Sequence, residues 1–257
     1  MPAVVWSTEG AVTRLTLASP DKLNALDERV AREFRAAVTA IAREKSKVVV
    51  LAGGGKAFCA GGDLGFIEAN RRRPKSALAP LMRRFYGSFL GLRALPQVTL
   101  AKVHGAAVGA GLCLALACDL RAVTAEAKLG FNFVRLGLNP GLGAWPLARS
   151  VFGDARAREL LFLGRFFSGR QLYDWGAACA CAANAAELDR EVDTVAGELA
   201  RHSRLSLRLL KSETSLDDGT LKRCLALEAR GQAACFKGPD IVEGVAAVRE
   251  RRPPRFA

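Results

Sequence analysis

The chain has 257 residues, half of them apolar and a quarter charged. This length and balance suffice for one large buried core, and they exclude a disordered or low-complexity chain. Lysine and arginine total 38 against 25 acidic residues, and the net charge of +13 favours an anionic partner such as nucleic acid, an anionic surface or a phosphorylated small molecule. The alternative is that most of these side chains only keep the surface soluble. The basic segment NRRRPK (70–75) is the exception.

Export, membrane insertion and metal binding are not expected. No apolar run approaches about 20 residues, and the start MPAVVWSTEG lacks the basic and apolar stretches of a signal peptide, so the cytoplasm is the expected compartment. Seven scattered cysteines indicate buried thiols and not a disulfide framework. Cys179 and Cys181 lack the two-residue gap of a zinc knuckle, and the sequence has only two histidines.

The first half of the chain predicts alternating strands and helices. AVTRLTLASP (11–20) alternates apolar and polar residues, which is typical of a half-buried strand. In the next segment, apolar residues recur at steps of three and four, which predicts a helix with one apolar face: Leu26, Val30, Phe34, Val38 and Ile41. KVVVLAGGG (47–55) then predicts a buried strand of a parallel sheet.

The second half predicts more helix. VTLAKVHG (98–105) repeats the strand-then-glycine pattern, and residues 111–131 predict a buried helix, a strand and a turn. From about residue 155 the pattern is mostly helical, and prolines stop a last helix near the C-terminus. The sequence therefore predicts an α/β core followed by a helical part, and its early repetition indicates a coiled spiral of strand, strand and helix.

Two glycine-rich stretches lead from a predicted strand into a predicted helix, GGGKAFCAGGDL (53–64) and VHGAAVGAGLCLALACDL (103–120). The first N–H groups of a helix lack partners and carry a partial positive charge. Two such bends facing each other would direct two N–H donors at one oxygen and form an oxyanion hole. Close packing explains glycine bends equally well, and neither stretch is a phosphate loop or a dinucleotide fingerprint in its proper setting.

Over nearly its full length the chain resembles the enoyl-CoA hydratase/isomerase family, also called the crotonase superfamily. The order and spacing of six blocks carry the resemblance: SPDKLNALD (19–27), KAFCAGGDL (56–64), VHGAAVGAGLCLALACDLRA (103–122), LGLNPGLGA (136–144), ARELLFLGRFFSGRQLYDWG (157–176) and EGVAAVRERRPPRF (243–256). The resemblance implies an α/β, crotonase-like spiral of β-β-α units over residues 1–195, holding the acyl-CoA site. It also implies a C-terminal helical trimerisation region over 196–257, with homotrimers or dimers of trimers.

The resemblance further implies that a CoA thioester places its carbonyl oxygen between the amides of Gly62 and Ala110. Each donor would stabilise an enolate-like oxyanion by about 3 kcal/mol. Coenzyme A would be part of the substrate, and no separate cofactor is expected. The other implied substrate-binding residues are Lys22, Leu23, Ala25, Ala60, Gly61, Asp63, Leu64, Gly109, Phe133, Gly141 and, for a CoA phosphate, Arg251.

The acids of the family are missing. Hydratases use two glutamates to hold and activate water, and by position these fall at Cys113 and Phe133; many isomerases use a carboxylate after the proline, here Gly141. A general acid or base contributes a factor of about 100 to 10,000, so ordinary hydration is disfavoured. Decarboxylation of a β-carboxyl thioester needs no such group, whereas double-bond isomerisation needs a base from elsewhere.

Other polar residues are candidates for catalysis or for structural roles. Asp63 is expected to cap the following helix, His104 to make a structural hydrogen bond, and Asp119 to have a structural role. Arg135 is a candidate for holding a substrate carboxylate, with a surface salt bridge as the alternative. Between residues 68 and 86 the sequence does not choose among further candidates: Glu68, Tyr86 and the arginines at 71–73, 83 and 84.

The expected function is thus that of an enzyme on an acyl-CoA or carrier-bound acyl thioester, performing isomerisation, decarboxylation or other non-hydratase chemistry. A catalytically impaired acyl-CoA-binding homologue is the first alternative; the empty acid positions favour it and the preserved glycine bends oppose it. RNA binding through the basic surface is the second, but no stacking aromatics interleave with residues 70–75. A membrane partner is not expected.

Overall fold

The computed structural model describes residues 1–215 and 218–256, and only the backbone of Asp218. The strands in this part of the chain are β1 (Val4–Glu9), β2 (Val12–Leu17), β3 (Val48–Gly53), β4 (Val98–Val103), β5 (Ala106–Val108), β6 (Leu120–Thr124), β7 (Lys128–Gly130), β8 (Phe166–Ser168) and β9 (Ala180–Ala182). The helices are α1 (Glu28–Ile41), α2 (Leu64–Arg71), α3 (Lys75–Leu90), α4 (Ala110–Leu116), α5 (Ala144–Leu163), α6 (Gly169–Asp174), α7 (Ala185–Arg201), α8 (Arg204–Thr214), α9 (Asp218–Cys235) and α10 (Asp240–Arg249).

The strands form two sheets, and the chain passes repeatedly from one to the other. The larger sheet has the order β1-β2-β3-β4-β6-β9, with β1 and β2 antiparallel and the remaining pairs parallel. The smaller sheet has the order β5-β7-β8. In the two middle turns of the chain, β4 is followed by β5 and β6 by β7, so each of these turns contributes one strand to each sheet. This arrangement confirms the predicted spiral of β-β-α units.

The larger sheet is buried on both faces, which explains its continuous apolar strands. Val49 and Leu51 of β3 face the main core, which also contains Phe34 of α1. Val48 and Val50 face the opposite way, into a second cluster with residues of α7 such as Val192. The sheet is therefore held rigidly between helices, and its carboxyl-terminal edge offers a fixed base for the loops that follow β3 and β4.

Helix α1 follows the predicted spacing. Its apolar residues Val30, Phe34, Val38 and Ile41 are buried, whereas Leu26 is buried just before the helix begins. The Asp27 carboxylate accepts a hydrogen bond from the Val30 amide at 2.8 Å and caps the first turn.

Five of the described strands go beyond the sequence-based expectation: β1, β5, β7, β8 and β9. β1 was not anticipated because most of its side chains are exposed at the sheet edge, so it has no apolar pattern. The turn expected at the end of residues 111–131 contains β7, a three-residue strand. It is stabilised by pairing with β5 on one side and β8 on the other, which no local pattern reports.

The C-terminal helices pack over the spiral. The predicted boundary between 195 and 196 falls inside α7, and α9 lies along α3. A trimerisation role for residues 196–257 stays a prediction. In the part of the chain that the structure describes, no helix combines the length and hydropathy needed to cross a bilayer.

Candidate active site

The first glycine bend connects β3 to α2 and leaves the Gly62 amide available. The Leu26 amide donates to the Gly61 carbonyl at 2.7 Å, and the Asp63 amide donates to the Leu26 carbonyl at 3.0 Å. Successive amides of an extended segment point in opposite directions, so the Gly62 amide between these two bonds faces away from Leu26. It has no acceptor among the described residues.

The second bend connects β5 to α4. Gly109 has φ 55° and ψ −119°, a conformation that L-residues rarely adopt, and its own amide donates to the Gly130 carbonyl at 2.8 Å. This turn starts α4 at Ala110. As expected for the first residue of a helix, the Ala110 amide has no acceptor in the described part of the chain.

The two bends touch each other through glycines. A Cβ atom on Gly61 would lie 2.6 Å from the Val108 carbonyl oxygen and 3.7 Å from the Ala110 nitrogen. A Cβ atom on Gly111 would lie 2.2 Å from the Cys59 carbonyl oxygen. Only glycine permits this approach, and it brings the Gly62 and Ala110 bends to the wall of one cavity.

That cavity has a volume of about 380 Å³ and a mainly apolar lining. The residues predicted from the sequence that line it are Lys22, Ala25, Ala60, Gly61, Gly62, Asp63, Leu64, Gly109, Ala110, Phe133 and Gly141. The other lining residues are Gly65, Phe66, Ile67, Met82, Phe85, Tyr86, Asn132, Leu136, Leu138, Leu142, Gln232, Phe236 and Val248. A cavity of this size and character suits a small organic group.

Two of the predicted substrate-binding residues do not line the cavity. Leu23 is exposed, and its carbonyl accepts a hydrogen bond from the Ala60 amide at 2.9 Å. Arg251 is exposed just beyond α10, three residues after Val248, which does line the cavity. Their contact with coenzyme A stays a prediction.

The three positions of the missing acids lie at or beside the cavity. Phe133 and Gly141 line it, whereas Cys113 is fully buried and its Sγ donates to the Gly141 carbonyl at 3.6 Å. Burial, with the nearby charge of Glu228 as a second cause, raises the pKa of the Cys113 thiol well above its ordinary value. None of the three can therefore supply a carboxylate or a thiolate base at neutral pH.

Asp63 is the one carboxylic acid in the described lining, and it is already engaged. Its side chain accepts a hydrogen bond from the Phe66 amide at 2.8 Å and so caps α2, as predicted. The Lys22 ammonium lies 3.6 Å from the same carboxylate. Neither group is well placed to act as a free base or as a free cation for a substrate.

The structural roles predicted for His104 and Asp119 are confirmed. The Nε2 atom of His104 is 3.0 Å from the Gly55 carbonyl oxygen. The Asp119 carboxylate accepts from the Thr99 amide at 2.7 Å and pairs with the buried Lys211 ammonium at 2.8 Å. Both side chains hold the loops around the sheet and do not line the cavity.

Arg135 is not placed to hold a substrate carboxylate. Its side chain is exposed, and its guanidinium lies 5.4 Å from the centre of the Phe166 ring, outside the cavity. The substrate-binding hypothesis is therefore wrong, and among the described residues Arg135 lies against this aromatic ring and has no salt bridge.

Among the candidates between residues 68 and 86, Tyr86 is the one that lines the cavity. Glu68 pairs with Arg249 at 2.6 Å, and the arginines at 83 and 84 are exposed on the outer face of α3. Tyr86 is 2% exposed and lines the cavity, and its hydroxyl has no hydrogen-bond partner in the described part of the chain. Burial, together with the nearby Glu228 charge, raises the pKa of Tyr86 well above its ordinary value, so the phenol is neutral.

Sequence reasoning missed two polar residues of α9. The buried Glu228 carboxylate accepts from the amides of Gly143 at 2.7 Å and Trp145 at 3.3 Å. Burial raises the pKa of Glu228 to about 7, although the backbone donors oppose this shift. Gln232 lines the cavity and donates from Nε2 to the Asn139 carbonyl at 3.0 Å.

The spacing of α9 contained a signal for these residues. Leu221, Glu228, Gln232 and Phe236 follow one another at steps of seven, four and four residues, and all four side chains are buried. A polar side chain within an apolar helical stripe must find a buried partner, so it is a candidate site residue.

Comparisons with known proteins agree with this geometry. The family model described as enoyl-CoA hydratase/isomerase matches residues 7–257. The 1,2-epoxyphenylacetyl-CoA isomerase of Escherichia coli K12 is 31% identical, over all of this chain and 98% of that protein. The peroxisomal Delta(3,5)-Delta(2,4)-dienoyl-CoA isomerase of Arabidopsis thaliana is 29% identical, over 98% of this chain and 94% of that protein.

A crystal structure of an enoyl-CoA hydratase from Mycobacterium avium subsp. paratuberculosis K-10 superposes with a TM-score of 0.86 at 28% identity, and the match covers 99% of this chain and 98% of that one. The same fold is thus present from end to end in a solved structure. With its spiral fold, its two free amides and these matches, the chain belongs to the enoyl-CoA hydratase/isomerase family, whose substrates are acyl-CoA thioesters.

Proposed function

We propose that this protein is an acyl-CoA enzyme that stabilises a thioester enolate and then carries out isomerisation, decarboxylation or another reaction that does not add water. One observation carries the proposal. The unpaired amides of Gly62 and Ala110 border a cavity in which the family's acid positions hold Phe133 and Gly141, with Cys113 buried behind the wall.

The amides would act on the thioester carbonyl. As an enolate forms, negative charge moves onto that oxygen, and two fixed N–H donors stabilise the charge without reorganising. The helix that begins at Ala110 adds a partial positive charge at the same point. Each donor contributes about 3 kcal/mol, or a factor of 100 to 1,000 in turnover.

Water addition lacks its usual acid and base here. Asp63 caps α2 and pairs with Lys22, and the Tyr86 phenol is neutral with a raised pKa, so neither replaces a pair of glutamates. Loss of CO₂ from a β-carboxyl thioester needs no base: the electron pair of the broken C–C bond becomes the enolate that the amides stabilise, and a proton from water then gives the product thioester. The names of two relatives, both isomerases, support rearrangement as the other form of this chemistry.

A catalytically impaired acyl-CoA binder is the second candidate, and the substitution of all three acid positions favours it. The conformation of Gly109 argues against a protein that only binds acyl-CoA. A turn at φ 55° costs stability at any residue but glycine, and it serves here to present the Ala110 amide to the cavity.

A mass-spectrometric screen of acyl thioesters tests the proposal. Saturated, α,β-unsaturated (crotonyl), β,γ-unsaturated, malonyl-type and epoxy acyl-CoAs, each also offered on a carrier protein, are incubated with the enzyme. Loss of CO₂, gain of water and thioester cleavage are read from the change in mass, and rearrangement, which leaves the mass unchanged, from a change in chromatographic retention. We expect rearrangement or CO₂ loss for at least one class and little gain of water with crotonyl-CoA.

Two variants of Gly62 provide a matched control. Gly62→Pro removes the N–H and is expected to lower turnover at least about 100-fold. Gly62→Ala keeps the N–H, and its methyl group would meet only the Ile67 side chain at an ordinary 3.8 Å, so it should stay active. Turnover that survives in Gly62→Pro would refute the enzymatic role of this amide, and tight binding without turnover of any thioester would support the binder.

A further inference from the structure

Tyr86 has an unused hydroxyl in the wall of an apolar cavity. The residue is buried, its Oη has no partner among the described residues, and most of the side chains that line the cavity with it are apolar. A buried hydroxyl without a partner is costly, and native proteins retain few of them. A ligand atom that accepts a hydrogen bond from Oη would remove this cost.

The hydroxyl lies where an acid of the family would extend. A Cβ atom on Gly141 would lie 2.5 Å from Tyr86 Oη and 2.7 Å from Gln232 Nε2. The space that a side chain at position 141 would enter is therefore occupied by two neutral polar groups carried by α3 and α9. One of them, Gln232, already donates to the Asn139 carbonyl. The hydroxyl of Tyr86, by contrast, has no partner at all among the described residues.

The charges around this point favour a neutral acceptor. The buried Glu228 carboxylate is close enough to act electrostatically on both Tyr86 and Cys113. Lys22 is the one basic side chain in the described lining, and its ammonium pairs with Asp63 at the N-terminus of α2. A substrate carboxylate beside Tyr86 would meet a like charge and no cation, whereas a carbonyl, hydroxyl or ether oxygen would meet only the donor.

We propose that Tyr86 determines specificity by donating a hydrogen bond from Oη to a neutral oxygen on the acyl chain, so that the preferred substrates are oxygen-bearing acyl thioesters. The inference rests on the proposed function, because it takes the cavity to be the acyl pocket. Tyr86 stays protonated throughout, and the step involves no bond making or breaking. An acyl group of plain hydrocarbon would leave the hydroxyl unpaired and bind more weakly.

Binding measurements test this without knowledge of the reaction. Isothermal titration calorimetry compares hexanoyl-CoA with 3-oxo-, 4-oxo- and 5-oxohexanoyl-CoA. For the wild type, we expect at least one oxo ester to bind about 10- to 100-fold tighter than hexanoyl-CoA. Tyr86→Phe should lose this preference, because the affinity for the oxo ester falls towards that for hexanoyl-CoA. Tyr173→Phe, at the chain's other tyrosine, which is exposed on α6, should keep it.

A second variant tests the same hydroxyl in case the Tyr86→Phe protein fails to fold. Gly141→Ala would place a methyl group against Tyr86 Oη and should also abolish the preference for the oxo ester. The inference is overturned if the wild type shows no preference for any oxo ester, or if the preference survives in Tyr86→Phe or Gly141→Ala. If even hexanoyl-CoA fails to bind the wild type, the acyl-CoA site itself is refuted, and this inference falls with it.

Discussion

Replacing Glu228 by glutamine should flatten the pH dependence of stability. The pKa of this buried carboxyl is raised to about 7 from an ordinary value of 4.5. The ionised form is therefore less favourable in the folded than in the unfolded chain, so the contribution of this carboxyl to stability is fully present below pH 4.5 and is lost as the pH rises through 7. At 1.36 kcal/mol for each tenfold change in proton affinity, the full loss is about 3 kcal/mol.

Between pH 5 and pH 8 this loss amounts to about 2 to 3 kcal/mol of unfolding free energy. A glutamine does not titrate, and its Oε1 can still accept from one of the two amides, of Gly143 or Trp145, that the carboxylate binds. The unfolding free energy of Glu228→Gln should consequently lose that part of the slope, and at pH 8 the variant should be at least as stable as the wild type.

Urea denaturation at pH 5, 6, 7 and 8, followed by circular dichroism, gives the unfolding free energies. Glu198→Gln, on the exposed face of α7, is the matched control and should keep the wild-type slope. If the unfolding free energy of Glu228→Gln changes with pH as steeply as that of the wild type, the reasoning about this carboxyl is refuted. It is also refuted if the wild type becomes more stable from pH 5 to pH 8 and the variant does not.

Three other outcomes follow from the same site. Tyr86→Phe removes an unpaired buried hydroxyl, so the unfolding free energy of the unliganded protein should rise by about 1 kcal/mol or stay level; a clear loss would show that the hydroxyl has a partner. Gly141→Ala should destabilise by about 1–3 kcal/mol because its methyl group meets Tyr86 Oη at 2.5 Å, and adding Tyr86→Phe should restore part of that loss in urea denaturation. Cys113→Glu combined with Phe133→Glu should increase crotonyl-CoA hydration measured by loss of the enoyl absorbance, at some cost in stability because Glu228 is nearby; no gain would mean that the pocket has diverged as well as the acids.

Local sequence patterns were sufficient for the spiral and for the two bends. Continuous apolar strands predicted a sheet buried on both faces, and the glycines at 61 and 109 marked turns that the structure shows to need glycine. The helix cap at Asp63 also followed from a short-range rule. Each of these features is determined by residues close together in the chain or by the family pattern.

The contents of the pocket could not be predicted in the same way. Glu228 meets Gly143 across 85 positions of the chain, and Tyr86 meets Gly141 only because α3 and α9 pack together. Nothing local distinguishes Tyr86 from Glu68, or predicts that Arg135 lies against an aromatic ring outside the cavity. Such choices depend on tertiary packing, which single-sequence periodicity does not report.

The infrared band of a bound thioester carbonyl tests the two-amide site most directly. Butyryl-CoA labelled with ¹³C at the thioester carbon is bound to the wild type, Gly62→Pro, Ala110→Pro and Gly62→Ala, and isotope difference spectra give the carbonyl frequency. Proline is well tolerated at Ala110 because this residue opens α4. Two converging donors predict a frequency below that of the ester in water for the wild type and Gly62→Ala, and a partial return towards the value in water in each proline variant. A bound carbonyl at the same frequency in all four proteins would contradict the account.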